Sequence, residues 1–344
     1  MSYITFQPKN NFNTILYTGS NSSNAQTGLG FQPDFSWFKR RDSAAQHSLF
    51  DVVRGVTKAL QSNATDAEAT ISDALTSFDS DGFTLGADSG NYINYNSATY
   101  ASWNWKAGGA GSSNSDGDIT STVSANTAAG FSIVTHTGNG STATIGHGLG
   151  AVPKFIITKK RSASDNWFTY HHSLGNGKYM LIEAADAQAT SSNVWNDTSP
   201  TDQVFTRGGP ANDNGATYVQ YCFAEKKGFS KFGSYKGNNS DDGSYIHLGF
   251  KPSFVLIKII DTQTDNWIMQ DNKINTFNSA TSQRLRANST GAEFSSSNEI
   301  DLLSNGFKVH GADGEINGSG VSYIYMAFAE SPFVNSKGVP TNAR

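Results

Sequence analysis

The chain has 344 residues, of which 37% are hydrophobic and 34 are glycine, so it is not a disordered polypeptide and is long enough to hold more than one core. Charged residues make up only 16%, against roughly 25% in an average domain, which leaves Asn, Ser, Thr and Gly to build a neutral, hydrogen-bonding surface. The net charge of −4 offers no field for phosphate backbones, and the single Cys222 allows neither an internal disulfide nor a cysteine-built zinc site, so no nucleic acid and no cofactor is expected.

The first ten residues lack the basic segment and apolar run of a secretory signal. The most apolar stretch, Phe254 to Ile260, is far shorter than the roughly 20 residues of a membrane helix. Synthesis in a cytoplasm without membrane insertion is expected.

Ile15-Leu-Tyr-Thr-Gly19 reads as a first strand ending at a turn. After it come Gly28-Leu-Gly-Phe-Gln-Pro-Asp-Phe35 and Ser36-Trp-Phe-Lys39. Asp51 to Leu60 and Asp66 to Leu75 are two stretches where Asp would cap a short helix, although Gly55 weakens the first. Gly82-Phe83 precedes Tyr100-Ala-Ser-Trp-Asn-Trp105, whose period of two places Ala101, Trp103 and Trp105 on one face. Ala107 to Gly117 then reads as a flexible linker.

The same order of signals returns twice. Ile133-Val-Thr-His-Thr-Gly138 and Phe232-Gly-Ser-Tyr-Lys-Gly237 repeat the opening strand. Gly148-Leu-Gly-Ala-Val-Pro-Lys-Phe155 and His247-Leu-Gly-Phe-Lys-Pro-Ser-Phe254 repeat the proline motif, with Lys159 and Lys258 in register with Lys39. The closing strand returns with Val219, Tyr221 and Phe223, and with Ile324, Met326 and Phe328, on the face set by Ala101. Gly306-Phe307 matches Gly82-Phe83, whereas the middle copy offers only Val204-Phe205. The motif prolines lie 120 residues apart (Pro33 to Pro153) and then 99 (Pro153 to Pro252), one compact domain each rather than a solenoid repeat.

The expected fold is therefore all-β: three tandem antiparallel β-sandwich domains of jelly-roll or lectin-like type, with little helix. Their bounds are 1–107, 119–227 and 228–334, with a Gly/Ser-rich linker at 108–118 and a C-terminal tail at 335–344. The short Glu225-Lys-Lys-Gly228 junction predicts close docking of the second and third copies.

Candidate sites are few. Asp165, Asn166 and Trp167, and their counterparts Asp265, Asn266 and Trp267, form a set able to contact sugar: carboxylate and amide for hydroxyls, indole for a pyranose face. A tryptophan opening a strand is more often a core anchor, and exposure decides between the two. The acidic turns Asn114 to Asp118, Asp79 to Gly82 and Asp241 to Gly243 carry carboxylates for calcium, but none completes a D-x-D-x-D-G loop and Asx-Gly is ordinary turn chemistry, so no metal is expected. His171-His172 lacks an H-E-x-x-H context and reads as a solvated or sheet-facing pair. The basic clusters Lys39 to Arg41 and Lys159 to Arg161 read as solvated strand ends. Glu183, Asp186 and Glu293 are scattered acids rather than the facing pair of a glycosidase, and no catalytic residue is assigned.

Gly30-Phe-Gln-Pro-Asp-Phe-Ser-Trp-Phe-Lys39, Ser77-Phe-Asp-Ser-Asp-Gly-Phe-Thr-Leu-Gly86, Tyr100 to Gly109 and Asp301-Leu-Leu-Ser-Asn-Gly-Phe-Lys-Val309 resemble a repeated domain of structural proteins in tailed, especially marine, bacteriophages, often tail-fibre-like. The resemblance covers nearly the whole chain and implies a lectin-like sandwich displayed on a virion assembled in the host cytoplasm. It implies a non-enzymatic protein of receptor-binding type, with other virion proteins and a host-surface glycan as partners. Capsid or tail decoration is the first alternative and polysaccharide depolymerisation the second. A homo-oligomer is expected, a trimer first, although no heptad segment is present to hold three copies together.

Overall fold

In the computed structural model, residues 6–261, 264–278, 281–297 and 299–329 are described. The tail expected at 335–344 lies outside them. The alternating aromatic stretches form the closing strands Thr99–Trp105, Thr217–Ala224 and Ser322–Ala329. Each pairs antiparallel on one side with an opening strand, Phe12–Thr18, Phe131–Thr137 or Ser230–Lys236. On its other side each pairs with a lysine-bearing strand, Phe35–Arg40, Pro153–Lys160 or Pro252–Ile259. A fourth strand follows at the far edge of the lysine strand: Ser48–Asp51, Trp167–His171 or Ile268–Asp271. The registers agree, because Phe35 faces Trp105, Phe155 faces Phe223 and Phe254 faces Phe328. The fold is all-β, with several antiparallel sheets.

A smaller sheet lies over each copy. Asn24–Thr27, Gly82–Leu85 and Leu75–Asp79 form the first, and Tyr245–His247, Gly306–Val309 and Ile300–Leu303 the third. In the middle copy Ala143–Gly146 pairs with Val204–Arg207. The glycine missing before Phe205 is found across the ladder, since Val204 pairs with Gly146 where Gly82 pairs with Thr27. The outer faces of the first two copies enclose separate clusters, around Phe38 and Phe83 and around Ile156 and Phe205.

The inner faces behave differently. All nine residues placed on one face by the period of two lie in a single core that also takes in Phe12, Phe35, Phe131, Phe155, Phe232 and Phe254. Trp105 is its hub, with ring centroids 4.8 Å from Phe12, 5.3 Å from Phe35, 6.2 Å from Phe223 and 5.6 Å from Phe328. The three copies thus share one apolar centre instead of burying three inner faces separately.

Each motif's terminal glycine has the same cause. A Cβ on Gly19, Gly138 or Gly237 would stand 2.2, 2.3 or 2.4 Å from the carbonyl oxygen of Tyr95, Asp213 or Gly318, closer than any side chain tolerates. That loop is fixed by a tyrosine hydroxyl, because Tyr100, Tyr218 and Tyr323 accept from the backbone N–H of Tyr95, Asp213 and Gly318.

Two local expectations are corrected. Ser112–Asn114 of the segment read as a flexible linker is an edge strand paired with Ser121–Asn126, because extended Ser and Asn complete the open ladder there. The stretches beginning at Asp51 and Asp66 are not helical: the Asp51 carboxylate accepts from the backbone N–H of Arg54 and closes a turn, and Lys58–Ala59 pairs with Ala69–Thr70. Among the described residues the α-helices are single turns, Ser192–Trp195 capped by Ser191 and Gly314–Asn317 capped by Asp313. Among the described residues no helix is long and apolar enough to cross a membrane.

Candidate functional site

The chemistry-bearing residues of the sequence converge on three seams between copies, and the seams follow one pattern. Lys39 Nζ donates to the carbonyls of Ala45 in its own copy, at 2.7 Å, and Thr290 in the third, at 2.9 Å. Lys159 donates to Asp165 and to Thr65 of the first copy, both at 2.6 Å. Lys258 donates to Asp265, at 2.6 Å, and to Ala185 of the second copy, at 2.8 Å. The same neighbouring carbonyls also accept from the backbone N–H of Ala45, Asp165 and Asp265. The contacts therefore run first to third, second to first and third to second, and close a ring.

All three lysines are buried, which corrects the reading of Lys39 and Lys159 as parts of solvated strand ends. Position in the strand decides it, since alternation turns the lysine stem inward while two carbonyls satisfy the ammonium. Burial pushes each ammonium down to about 8.

Trp167, paired with Lys159 at the start of the fourth strand, and the residue just before the fourth strand in the other two copies also cross their seams. Trp167 Nε1 donates to Gln61 and Ala64 carbonyls at 2.9 and 3.0 Å, and Trp267 Nε1 to Leu181 at 2.8 Å. His47 occupies the equivalent place in the first copy. Its Nδ1 accepts from Trp37 Nε1 at 2.8 Å, which leaves Nε2–H to donate to the Arg286 carbonyl at 3.0 Å. Burial holds this imidazole neutral, its pKa lowered to about 3.

The proposed sugar set is corrected accordingly. Trp167 and Trp267 are 0% and 1% exposed, so neither offers an indole face to a pyranose. Asp165 and Asp265 serve the seams through their backbones, and the backbone N–H of Asn166 and Asn266 donates to the carboxylate of the Asp before it. Asp265 is pushed up by burial and by Glu315, whereas Lys160 reaches the Asp165 carboxylate at 2.9 Å.

The scattered acids have structural partners. Glu183 accepts from Trp167 N–H at 3.1 Å, as Asn63 does from His47 and Asn288 from Trp267, and burial raises it to about 7. Glu293 binds Arg41 bidentately, and Asp186 is exposed. Both oxygens of Asp81 accept turn amides, from Gly28 and Gly30, and among the described residues no group of three or more His, Cys, Asp or Glu could hold a metal.

Sequence reading missed a second set of seam residues, at the inner end of each fourth strand. Asp271 is fully buried and accepts from Thr14 Oγ1 at 2.7 Å and Trp103 Nε1 at 3.0 Å, both from the first copy. Asp51 accepts from Tyr221 Oη of the second copy at 2.8 Å and from Arg54. The third seam has Met326 in place of the donor, and there His171 stands in place of the aspartate and is itself the donor. Its Nδ1 accepts from Ser173 N–H, so Nε2–H donates to the Tyr325 carbonyl, and burial pushes it to about 3. The aligned donor and acceptor changes were the available signal: Trp103 and Tyr221 go with Asp, Met326 with His.

These seams and the common core define a single all-β body with a threefold internal arrangement. Residues 7–332 match the family described as Domain of unknown function (DUF7483), and the chain belongs to that family. No curated protein and no solved structure matches it.

Proposed function

We propose that this chain is a non-enzymatic structural protein of a bacteriophage particle, of tail-fibre or receptor-binding type, whose surface contacts the host. The seam chemistry carries the structural part of this reading. Strongly perturbed ionisable groups usually mark a reactive site; here Lys39, Lys159, Lys258, His47 and Glu183 are each committed to a fixed backbone partner. The virion part rests on the motif resemblance and on a surface rich in amides and hydroxyls. On this reading one chain supplies the threefold arrangement of a trimer of single sandwiches, and a homotrimer would stack such rings on a common axis.

The test is to incubate the labelled full chain with whole bacteria of candidate hosts and with purified phage particles. Binding of the isolated protein to cells is the expected result. Binding to particles alone would move the protein to a decorating role. Hydrolysis of host polysaccharide, abolished by substituting one acidic residue, would overturn the non-enzymatic reading.

A further inference from the structure

The three seams also differ two residues beyond the seam lysine, and that difference leaves a cleft. Two residues beyond each seam lysine stand Arg41, Arg161 and Ile260, and their carbonyls accept from the backbone N–H of Glu293, Glu68 and Gln188. At the first two seams the side chains also pair. Arg41 Nε reaches Glu293 at 2.5 Å, and Arg161 reaches both oxygens of Glu68 at 2.8 and 2.9 Å. At the seam between the third and second copies both members are replaced, Arg by Ile260 and Glu by Gln188. A cleft of about 530 Å³ opens there, lined by both residues, Lys178, Thr190, Asp261 and the Ser319–Val321 turn.

We propose that this cleft is a binding site for a short neutral saccharide. Its size lies within the range of small-molecule sites, roughly 300–1,000 Å³. Ile260 and Val321 give an apolar floor, both nearly buried. Around it stand an ammonium, a carboxylate, an amide and two hydroxyls. One positive and one negative group leave no net charge to select an anion or a cation. Asp261 Oδ2 is held by the Ser322 backbone N–H at 2.6 Å, which fixes the carboxylate. Such a fixed acceptor beside the Lys178 and Gln188 donors suits a ligand whose hydroxyls both donate and accept. The ligand class rests on the host-contact reading above; the location of the site does not.

The experiment is saturation-transfer NMR on the full chain with glucose, galactose, mannose, N-acetylglucosamine, maltose and cellobiose, with glycine and free lysine as zwitterionic controls. One or more of the sugars is expected to bind. Q188E combined with I260R rebuilds the ion pair of the other seams and is expected to weaken that binding at least tenfold while the melting temperature is kept or raised. K178A, on the rim, is expected to weaken it without touching the fold, and covers the case in which the double variant fails to fold. Absence of binding by all six sugars, binding by the zwitterions alone, or sugar binding unaffected by both variants would overturn the proposal. Cells bound by a chain that binds no sugar would sink the cleft and spare the host-contact reading. Sugar bound in the cleft by a chain that binds no cells would do the reverse.

Discussion

Truncating Trp105 tests whether the copies share one core. Its ring is 1% exposed and contacts aromatic rings from all three copies. Trp→Ala in a core costs about 3–5 kcal/mol in lost transfer energy and cavity. Against this, Trp105 Nε1 is buried with no hydrogen-bond partner among the described residues, and removing such an orphan donor returns about 1–2 kcal/mol. W105A should therefore destabilise by about 3 kcal/mol, which at about 2 °C per kcal/mol for a chain of this size lowers Tm by about 6 °C. W105F removes the orphan and installs the residue already present at Phe223 and Phe328, so it should stay within about 1 kcal/mol of the parent. Scanning calorimetry is the assay. At about 0.7 kcal/mol per residue, one cooperative unit absorbs on the order of 220 kcal/mol, and a single copy about 75. The whole endotherm should move in W105A. A split trace in which only about a third of the enthalpy shifts would refute the shared core.

Asp271→Ala strands Trp103 Nε1 and Thr14 Oγ1 in the interior, so it should cost about 3 kcal/mol in urea unfolding, while D271N, which keeps an acceptor, should cost less than half of that. Gly138→Ala drives a Cβ to 2.3 Å from the Asp213 carbonyl and should cost more than about 1 kcal/mol, whereas G314A meets no atom within 4 Å and should be neutral in the same measurement. Stability followed by urea midpoint should depend on pH in two windows. Folded His47 and His171, lowered to about 3, and His136, lowered to about 4, against an unfolded value of about 6.5, contribute stability that is lost as pH drops. Glu183 and Glu299, raised to about 7, and Asp265, raised to about 6, contribute the opposite change down to about pH 4, so the net loss sets in below about pH 4. The three seam lysines, held at about 8 against about 10.4 unfolded, make stability rise from pH 8 toward 10, beyond which the raised hydroxyls of Tyr221 and Tyr235 reverse the trend. A midpoint flat between pH 8 and 10 would remove the lysines from this account.

The repeat was legible because its marks are backbone marks. Gly19, Gly138 and Gly237 are dictated by a close carbonyl, and the nine alternating residues from Ala101 to Phe328 by a strand with an apolar inner face. What the residues could not reveal was which apolar face met which. A sandwich that buries its inner face alone and one that shares it with two others have the same period of two. For the same reason Lys39 and Lys159 read as solvated: the carbonyls that satisfy them across their seams come from residues 251 and 94 positions away, and those of Trp167 from a copy that periodicity does not bring near. In the sequence the third counterpart of Lys39 to Arg41 and Lys159 to Arg161 is Lys258-Ile-Ile260, a change that has meaning only once Glu293, Glu68 and Gln188 are known to face Arg41, Arg161 and Ile260.

Ring closure between the first and third copies is tested most directly by a disulfide across it. Ala45 N–H donates to the Thr290 carbonyl at 2.9 Å, which brings together backbones 245 residues apart in the chain. A backbone N–H···O=C contact of this kind holds two residues close to the Cα spacing, about 4.4–6.8 Å, that a disulfide spans. The one native cysteine, Cys222, is buried and its thiol is pushed up by burial, so it does not compete. An A45C/T290C chain should oxidise rapidly to an intrachain disulfide, seen as a monomer of altered mobility on a non-reducing gel with native unfolding behaviour. Failure to cross-link, or cross-links only between chains, would contradict the closed threefold arrangement.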